Sequence, residues 1–321
     1  MLKSFLIYLS KAGWAQRLII QWKFAWRTAL RFVAGESIQE AFQAIRVLNQ
    51  NGIVATLDLL GEHTSTFQEA AKSTEDILFL LDEIEHAGVR SNVSIKLTQI
   101  GMGLDVEVCR QNLIRILERA KEYKNFIFID MEDTPYTDLT IDIYRSVREI
   151  GFTEKQIGIV VQSYLYRTEA DTRKLLKDGT CIRIVKGAYK EPPDKAFPKK
   201  ADVNANFDLL TKIMIDSALT SGSPTLSRDG RIPPIPDIAT HDEKRINFAK
   251  LYAQKVGLTK KALEFQLLYG IRRDLQEELV KEGYPVRVYV PFGTHWYPYF
   301  MRRLAERPAN IWFFVSNYFK K

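Results

Sequence analysis

Cysteine and histidine are scarce in this sequence. Two cysteines and four histidines occur among 321 residues. Cys109 and Cys181 lie far apart, and neither they nor the histidines show the spacing of a metal site. The sequence therefore predicts no disulfide framework and no bound metal, and this cysteine usage is typical of a reducing compartment.

Long apolar runs are also missing. Residues 2–32 are rich in apolar and aromatic side chains, including Trp14, Trp22 and Trp26, but basic residues interrupt them. No run reaches the roughly 20 apolar residues of a membrane-spanning helix, and no cleavable signal sequence is recognisable. We divide the chain into an N-terminal helical segment, residues 1–35, and one domain, residues 36–321. The segment could cap that domain or lie on the inner face of the cell membrane of a cytoplasmic protein.

Positive charge is in moderate excess, with a formal net charge of +7. Such an excess could favour nucleic acid, an anionic membrane surface or an acidic ligand. Many basic residues alternate with acidic ones on predicted helices, as in Glu118–Lys124, which is typical of a solvated face. No nucleic-acid motif occurs, and we predict no nucleic-acid partner.

Short runs of Val, Ile and Leu alternate eight times with longer helical patterns. Their nearly continuous hydrophobicity is typical of parallel strands buried on both faces. The alternation predicts an α/β protein with a (β/α)8 barrel of the TIM type. A doubly wound open sheet is the alternative, although no G-x-G-x-x-G follows the first strand. The predicted strands are Val54–Leu60, Val93–Leu97, Phe126–Met131, Ile157–Gln162, Cys181–Lys186, Asp237–Thr240, Phe265–Tyr269 and Val286–Pro291.

One stretch breaks this rhythm. Residues 220–236 read TSGSPTLSRDGRIPPIP and contain four prolines, two glycines and three serines. This composition predicts a mobile loop, and its prolines leave room for only a short sixth strand.

Charged side chains occur where the predicted strands end, which is where barrels of this type carry their chemistry. A buried cation such as Lys96, Arg183 or Lys186 is costly unless it is paired or binds an anion. One interpretation is an internal salt-bridge network with Asp130 and Glu62, and the other is a site for an anionic ligand. Other polar residues at strand ends are Asp58, Gln162, Thr240, His241, Asp242 and Tyr289.

Two further features bear on this choice, and the first favours the ligand site. Gly187 follows the fifth strand, and a glycine lets the backbone approach a bulky cofactor. The last predicted helix carries consecutive arginines, Arg302 and Arg303. Guanidinium groups bind a carboxylate through paired hydrogen bonds, although an arginine pair on an exposed helix surface is the alternative.

Seven strings together resemble the proline dehydrogenase family, in family order from about Phe32 onward. The similarity is to the short monofunctional bacterial enzymes, because 321 residues leave no room for a second, aldehyde-dehydrogenase domain. The loop before residue 237 and the first 30 residues depart from the family pattern. The strings are SIKLT (94–98), IDMED (129–133), VQSYLYRT (161–168), IRIVKGAYKEP (182–192), ATHD (239–242), EFQLLYGIR (264–272) and VRVYVPFGTHWYPYFMRRLAERPAN (286–310).

The resemblance implies oxidation of L-proline to Δ1-pyrroline-5-carboxylate by hydride transfer to bound FAD, with electrons passed to a quinone. This is the first step of proline catabolism to glutamate. The resemblance also implies the site residues. The catalytic residues are Asp130 and Arg183; the substrate-binding residues are Lys96, Tyr289, Arg302 and Arg303; the FAD-binding residues are Met131, Gln162, Lys186, Gly187, Ala188, Thr240 and His241; and Glu62 is the gate that pairs with Arg302.

Three other functions stay open on the sequence. A barrel aldolase would use Lys96 or Lys186 to form a Schiff base. An oxidase of another cyclic imino acid, such as hydroxyproline, would share the same site. A basic, aromatic protein that binds membranes without catalysis would leave the strand-end charges unexplained.

Overall fold

The computed structural model describes residues 9, 12–20 and 23–306. Eight parallel strands form a closed barrel in which each strand pairs with the next and the last pairs with the first. The predicted (β/α)8 barrel is therefore confirmed, and the open-sheet alternative is wrong. The strands are β1 (Val54–Leu59), β2 (Ser91–Ile95), β3 (Ile127–Ile129), β4 (Ile157–Gln162), β5 (Cys181–Val185), β6 (Asp237–Ala239), β7 (Glu264–Leu268) and β8 (Val286–Phe292).

Helices connect the strands on the outside of the barrel. Local chemistry accounts for several helix ends: Ser37 and Glu40 form a capping box at the helix directly before β1, and left-handed Gly88 ends the helix between β1 and β2. The helices are α1 (Gly13–Ile20), α2 (Lys23–Ala29), α3 (Ile38–Gln50), α4 (Phe67–Ala87), α5 (Val106–Glu122), α6 (Thr134–Glu149), α7 (Thr168–Lys177), α8 (Lys200–Thr220), α9 (Glu243–Val256), α10 (Arg273–Lys281) and α11 (Trp296–Glu306).

The proline-rich loop, residues 221–236, lies against the amino end of the barrel. Arg287 at the start of β8 is fully buried and donates hydrogen bonds to the Gly230 carbonyl (3.0 Å) and to Glu264 (2.7 Å). Asn92 donates to the Arg231 carbonyl at 3.0 Å. The composition predicts a mobile loop, but these contacts hold it in place. It lies at the end opposite Thr240, so its length does not disturb that region.

The short sixth strand is as predicted. β6 contains only three residues, and it begins directly after the last proline of the loop. Its register is nevertheless fixed on both sides, because Asp237 pairs with Arg183 of β5 and with Glu264 of β7. The barrel therefore closes through a strand of minimal length.

The N-terminal helices pack on α11. Ala25 and Ala29 of α2 are fully buried, and the rings of Trp26 and Trp296 lie 5.1 Å apart. Trp22 lies outside the described residues. The predicted packing role of this segment is confirmed for the part that the structure describes, and it places α2 behind the helix that carries Arg302 and Arg303. In the described ranges, no helix is long and apolar enough to cross a membrane.

Candidate active site

A cluster of ionisable side chains lies inside the barrel toward its carboxyl end. Lys96 follows β2 and lies 3.3 Å from the Asp130 carboxylate, which follows β3. Arg183 of β5 donates to the same carboxylate at 3.2 Å and to Ser94 at 3.0 Å. The Tyr289 hydroxyl of β8 donates to Asp130 at 2.6 Å. Three strands that are distant in sequence, β2, β5 and β8, therefore aim polar groups at one carboxylate, which follows a fourth strand, β3.

Asp58 belongs to this cluster, although the sequence gives it no role beyond its place at a strand end. The residue is 1% exposed, and its carboxylate lies 3.1 Å from the Lys96 ammonium. Lys96 therefore sits between the buried Asp58 carboxylate and the Asp130 carboxylate, which is 14% exposed. In the sequence, a single aspartate among the apolar residues of β1 indicates a special role for Asp58. Only the closure of the barrel shows that Asp58 faces Lys96.

The charge states follow from the mutual contacts. Burial opposes ionisation of Asp130, but the charges of Lys96 and Arg183 outweigh it and lower the pKa of Asp130. Burial alone would lower the pKa of Lys96, yet Asp58 and the other anionic neighbours hold it well above its ordinary value. Burial raises the pKa of Asp58, and Asp130 raises it further. Lys96 is thus a protonated cation at neutral pH.

A protonated, doubly paired Lys96 is suited to bind an anion. It is poorly suited to the aldolase alternative, because a Schiff-base lysine must lose its proton to become a nucleophile. Lys186, the other aldolase candidate, forms an ion pair with Asp242 at 2.6 Å.

Arg183 combines burial with incomplete pairing. Its guanidinium carbon lies 3.8 Å from the centroid of the Phe128 ring. Its Nε atom is buried and has no hydrogen-bond partner among the described residues. A buried donor without an acceptor is costly, so this atom is a place where a ligand acceptor would gain binding energy.

α11 brings a second cationic group over the barrel. Arg302 forms two hydrogen bonds with Glu62, at 2.6 and 3.0 Å, after the end of β1. Burial of Glu62 opposes its ionisation, but the charges of Arg302 and Lys96 together outweigh burial and lower the pKa of Glu62. The guanidinium carbon of Arg303 lies 5.1 Å from the centroid of the Tyr299 ring. The structure thus contains the predicted Glu62–Arg302 pair and places Arg303 beside it on the same helix.

The two interpretations of the strand-end cations prove not to be exclusive. Lys96 and Arg183 do pair with Asp130 as the network interpretation predicts. Glu62 and Lys186 do not pair in that network as predicted, because Glu62 binds Arg302 and Lys186 binds Asp242. The predicted single network is therefore split into separate groups of ion pairs. One includes Arg302 of α11, and another includes Lys186 in the segment after β5.

Lys186 lies beside an open cavity of about 610 Å³. Its ammonium group contacts Asp242 and also Asn204 (2.7 Å) of α8. The Thr240 hydroxyl accepts a hydrogen bond from the Asp242 amide, and the His241 Nε2 atom accepts one from the Leu268 amide. The cavity is lined by Lys200, Ala201, Asn204, His241, Asp242, Glu243 and Lys244. Lys200, Lys244 and Asn204 carry donors that suit an anionic ligand, and the acidic Asp242 and Glu243 line the same cavity.

The backbone comes close to the site at Gly187. Its φ of +111° is in a region that favours glycine, and a Cβ atom there would lie 2.4 Å from the Tyr164 ring. Ala188 follows and is exposed, whereas Met131 is 7% exposed. Gln162 donates to the Glu132 carbonyl at 2.8 Å. Because of its positive φ and the nearby Tyr164 ring, only glycine fits at the position directly after Lys186.

Glu132 is a second buried acid to which the sequence gives no role. It is 1% exposed and accepts hydrogen bonds from the Thr98 amide (3.0 Å) and hydroxyl (2.5 Å). Burial raises its pKa. It ties the loop after β2 to the loop after β3. No group of three or more His, Cys, Asp or Glu residues in the described part of the chain is placed to hold a metal ion.

A closed parallel barrel with charged side chains converging at the carboxyl ends of its strands is the arrangement of a (β/α)8 barrel enzyme. Comparison with known proteins gives the family. A family model described as "Proline dehydrogenase" matches residues 41–315. The chain belongs to the proline dehydrogenase family, a family of flavin-dependent oxidoreductases that catalyse the first step of proline catabolism.

Curated relatives align with nearly the whole chain. A protein named proline dehydrogenase from Deinococcus radiodurans is 42% identical over 299 residues, which is 92% of this chain and 91% of the relative. Proline dehydrogenase 2 of Bacillus subtilis is 38% identical over 319 residues, 99% of both chains. The resemblance deduced from the seven strings is therefore confirmed.

Solved structures agree on the fold. Proline utilization A (PutA) from Bdellovibrio bacteriovorus, inactivated by N-propargylglycine, superposes with a TM-score of 0.78 at 26% identity. The match covers 88% of this chain and 33% of that one, so the chain spans about one third of the length of that structure's protein.

Proposed function

We propose that this protein oxidises L-proline to Δ1-pyrroline-5-carboxylate with FAD as the hydride acceptor, and that the electrons then pass to a quinone. The observation that carries the proposal is the buried group of Lys96, Asp130 and Arg183 with the Arg302–Glu62 pair above it. Family membership supports it independently.

The substrate carboxylate is bound by Lys96, Arg302 and Arg303 in this proposal. Lys96 carries a fixed positive charge because Asp58 and Asp130 keep it protonated. Each arginine adds donors that match the two oxygens of a carboxylate. Fixing the carboxylate fixes the rest of the small ring, so that the carbon next to the nitrogen faces one direction. Tyr289 then packs on the substrate ring.

The residues present fit a flavin dinucleotide. The unpaired Nε of Arg183 offers a buried donor, and Gly187, where only glycine fits beside the Tyr164 ring, continues the chain past the barrel mouth after β5. Lys186 and the cavity beside it supply positive charge and donors for the phosphates. FAD supplies the hydride acceptor when bound. The other residues that we propose to contact it are Met131, Gln162, Ala188, Thr240 and His241.

The protein's own groups supply the electrostatics. Arg183 and Lys186 place positive charge where the electron pair arrives, and such preorganised charge stabilises the transition state. Asp130 offsets that charge and orients Lys96 and Arg183 through direct hydrogen bonds. No general base is required of the protein, because the proline amine can lose its proton to water.

Glu62 acts as the gate in this scheme. Its ion pair with Arg302 links the loop after β1 to α11, and both partners are largely shielded from solvent. With the pair formed, α11 lies over the substrate. Breaking the pair frees Arg302 and gives proline a way in and the product a way out.

We further propose a cytoplasmic protein that makes peripheral contact with the inner face of the cell membrane, where quinones reside. Trp14 and Leu18 lie one turn apart on α1 and are 54% and 56% exposed. Exposed tryptophan and leucine on one helical face are typical of interfacial helices. The division of the chain at residue 35 belongs to this proposal.

The proposed reaction is tested by an absorbance spectrum of the purified protein. We expect a flavin spectrum that L-proline bleaches under anaerobic conditions. Comparing kcat/KM for proline and hydroxyproline with a soluble acceptor identifies the preferred imino acid. A protein that stays colourless after incubation with FAD would overturn the proposal.

A further inference from the structure

The segment between β5 and α8, residues 187–199, crosses the carboxyl end of the barrel, and we name it the strap. Its far half is held by the loop after β4. The Phe197 amide donates to the Tyr164 carbonyl at 2.7 Å, and the Tyr166 amide donates to the Lys195 carbonyl at 3.1 Å. The rings of Tyr166 and Phe197 pack edge to face with centroids 4.5 Å apart. This half is therefore fixed by backbone pairing and ring packing.

An acidic side chain, Glu191, fastens the near half of the strap, and the Tyr189 backbone also forms a hydrogen bond with the Tyr164 hydroxyl. The Glu191 carboxylate accepts a hydrogen bond from the Thr134 amide at 2.9 Å and another from the Thr134 hydroxyl. The Tyr164 hydroxyl lies 3.4 Å from the same carboxylate. These bonds join positions 57 residues apart. They connect the strap to the first residue of α6.

The amino end of α6 needs such a partner. Asp133 occupies the N-cap position but makes no side-chain capping hydrogen bond. The Thr134 amide would otherwise lack an acceptor within the helix. A carboxylate at this end is also favoured by the helix dipole. Glu191 therefore caps α6 from another part of the chain, and α6 in turn fixes the position of Glu191.

The two segments joined in this way both belong to the active site. Asp130 lies four residues before Thr134 in the sequence IDMEDT, and Gly187 lies four residues before Glu191 in GAYKE. Tyr189 lies between them on the strap. Burial raises its pKa, and Glu62 and Glu132 act in the same direction.

We propose that Glu191 is a positioning residue that holds the near half of the strap, Gly187 to Tyr189, against the barrel mouth. The proposal rests on the proposed function for the identity of the ligand. It assigns Glu191 no contact with substrate or cofactor. Loss of the Glu191 contacts would let this half of the strap move away and would weaken the hold of Gly187 and Ala188 on FAD.

The test compares Glu191→Gln and Glu191→Ala with Asp194→Asn in the FAD-loaded protein. Asp194 lies on the same strap, its side chain is 70% exposed, and its ion pair is with the adjacent Lys195. Replacing it removes one charge near Glu191 without breaking a hydrogen bond between segments. Thr134→Val is a second variant, which removes the hydroxyl donor and keeps the backbone amide.

Hydrogen exchange of the strap amides, measured by mass spectrometry, reports on its opening. Hydrogen bonds to a charged group contribute enough that losing them raises local opening roughly 10- to 100-fold. We expect exchange at residues 187–191 to rise by about that factor in Glu191→Ala and by less in Glu191→Gln and Thr134→Val. Asp194→Asn should exchange like the wild type.

Release of FAD and steady-state kinetics complete the test. FAD should dissociate faster in the order of the exchange rates, and Glu191→Gln should rescue part of the loss in Glu191→Ala. Equal exchange in Glu191→Ala and Asp194→Asn would show that Glu191 does not hold the strap and would overturn the proposal. Faster exchange with unchanged FAD release and unchanged KM would overturn the positioning role. Wild-type protein that binds FAD but does not oxidise proline would rule out the proposed reaction. The comparisons of hydrogen exchange and FAD release would remain valid.

Discussion

Single residues in this protein are placed by contacts that join distant parts of the chain. Asp130 accepts hydrogen bonds from side chains on β2, β5 and β8, and Lys96 lies between it and Asp58. The identities of Lys96, Asp130 and Arg183 as strand-end charges could be predicted from the sequence. The partner of each charge could not, because pairing depends on the twist and closure of the barrel.

The arginines of α11 give the first prediction. Consecutive helical residues diverge by about 100°, so Arg302 and Arg303 both reach one ligand only if the helix lies across the barrel mouth. Loss of one charged hydrogen-bonding group costs roughly 1.5–3 kcal/mol. We expect Arg302→Met and Arg303→Met each to lower kcat/KM for proline about 10- to 100-fold. Arg→Lys should restore only part of this, because the fork geometry is lost.

The controls for this experiment are spectral and kinetic. The flavin spectrum should survive in both arginine variants, because these residues touch substrate in our proposal. Glu62→Ala should weaken proline binding less than Arg302→Met does. Wild-type kcat/KM in both arginine variants would show that the pair is a surface feature and that the carboxylate is bound elsewhere.

The Glu62–Arg302 pair gives a prediction on pH. Arg302 and Lys96 together lower the pKa of Glu62 in the folded protein below its ordinary value of 4.5. A group with a lowered folded pKa stabilises the fold above its unfolded pKa, and this stabilisation is lost as the pH falls through the folded value. The difference in unfolding free energy between wild type and Glu62→Gln should therefore be largest near pH 7 and shrink below about pH 4.5. Urea unfolding at several pH values measures it. A difference that is constant with pH would contradict an ionised Glu62.

At the scale of elements, the eight strands were predictable within one to two residues at most ends. Runs such as Ile157–Gln162 are buried on both faces and bounded by polar turns, which leaves little choice of boundary. β2 shows the limit: it runs from Ser91 to Ile95, whereas hydrophobicity predicts Val93–Leu97. Ser91 and Asn92 are polar but fully buried, because the closed barrel satisfies their hydrogen bonds internally.

The outer face of α1 gives a prediction at this scale. Deleting all residues before Phe32 would test membrane contact, but it would also remove the packing of α2 on α11. Trp14→Ser with Leu18→Ser changes only the exposed face. We expect this double variant to bind anionic vesicles more weakly and to keep its activity with a soluble dye.

Trp26→Ala is the matched comparison. Trp26 contacts Trp296 of α11, so this variant should lower thermal stability and disturb the kinetics of proline oxidation. Equal vesicle binding by wild type and by the Trp14, Leu18 double variant would show that the N-terminal helices serve packing alone.

At the scale of the whole molecule, the barrel separates a reactive end from a sealed end. The active-site groups lie at the carboxyl ends of the strands, and the proline-rich loop closes the amino end through Arg287 and Asn92. Sequence composition identified this loop but could not show where it docks. A buried arginine whose acceptors include a loop carbonyl can be recognised only in the folded chain.

The sealed end gives the last prediction. Gly230 has φ +76°, and a Cβ atom there would lie 2.5 Å from Val54 and 3.2 Å from Arg90. Gly230→Ala should therefore lower the free energy of unfolding by about 1–3 kcal/mol, from backbone strain and crowding. KM for proline should stay unchanged, because the reactive end is untouched. A raised KM with unaltered unfolding would show that the loop acts on the substrate site.

The packing of the N-terminal helices on α11 has a consequence for protein synthesis. The Tyr297 hydroxyl donates to the Leu9 carbonyl, a bond between residues 288 apart. At about 5–20 residues per second, a ribosome needs roughly 15–60 s to travel between them. During that interval the apolar surface of α2 has no α11 to cover it, although most of the barrel has already been translated. The nascent chain therefore acquires Arg302, Arg303 and the cover for its N-terminal helices at the same late stage of synthesis, so a product truncated before α11 lacks both together.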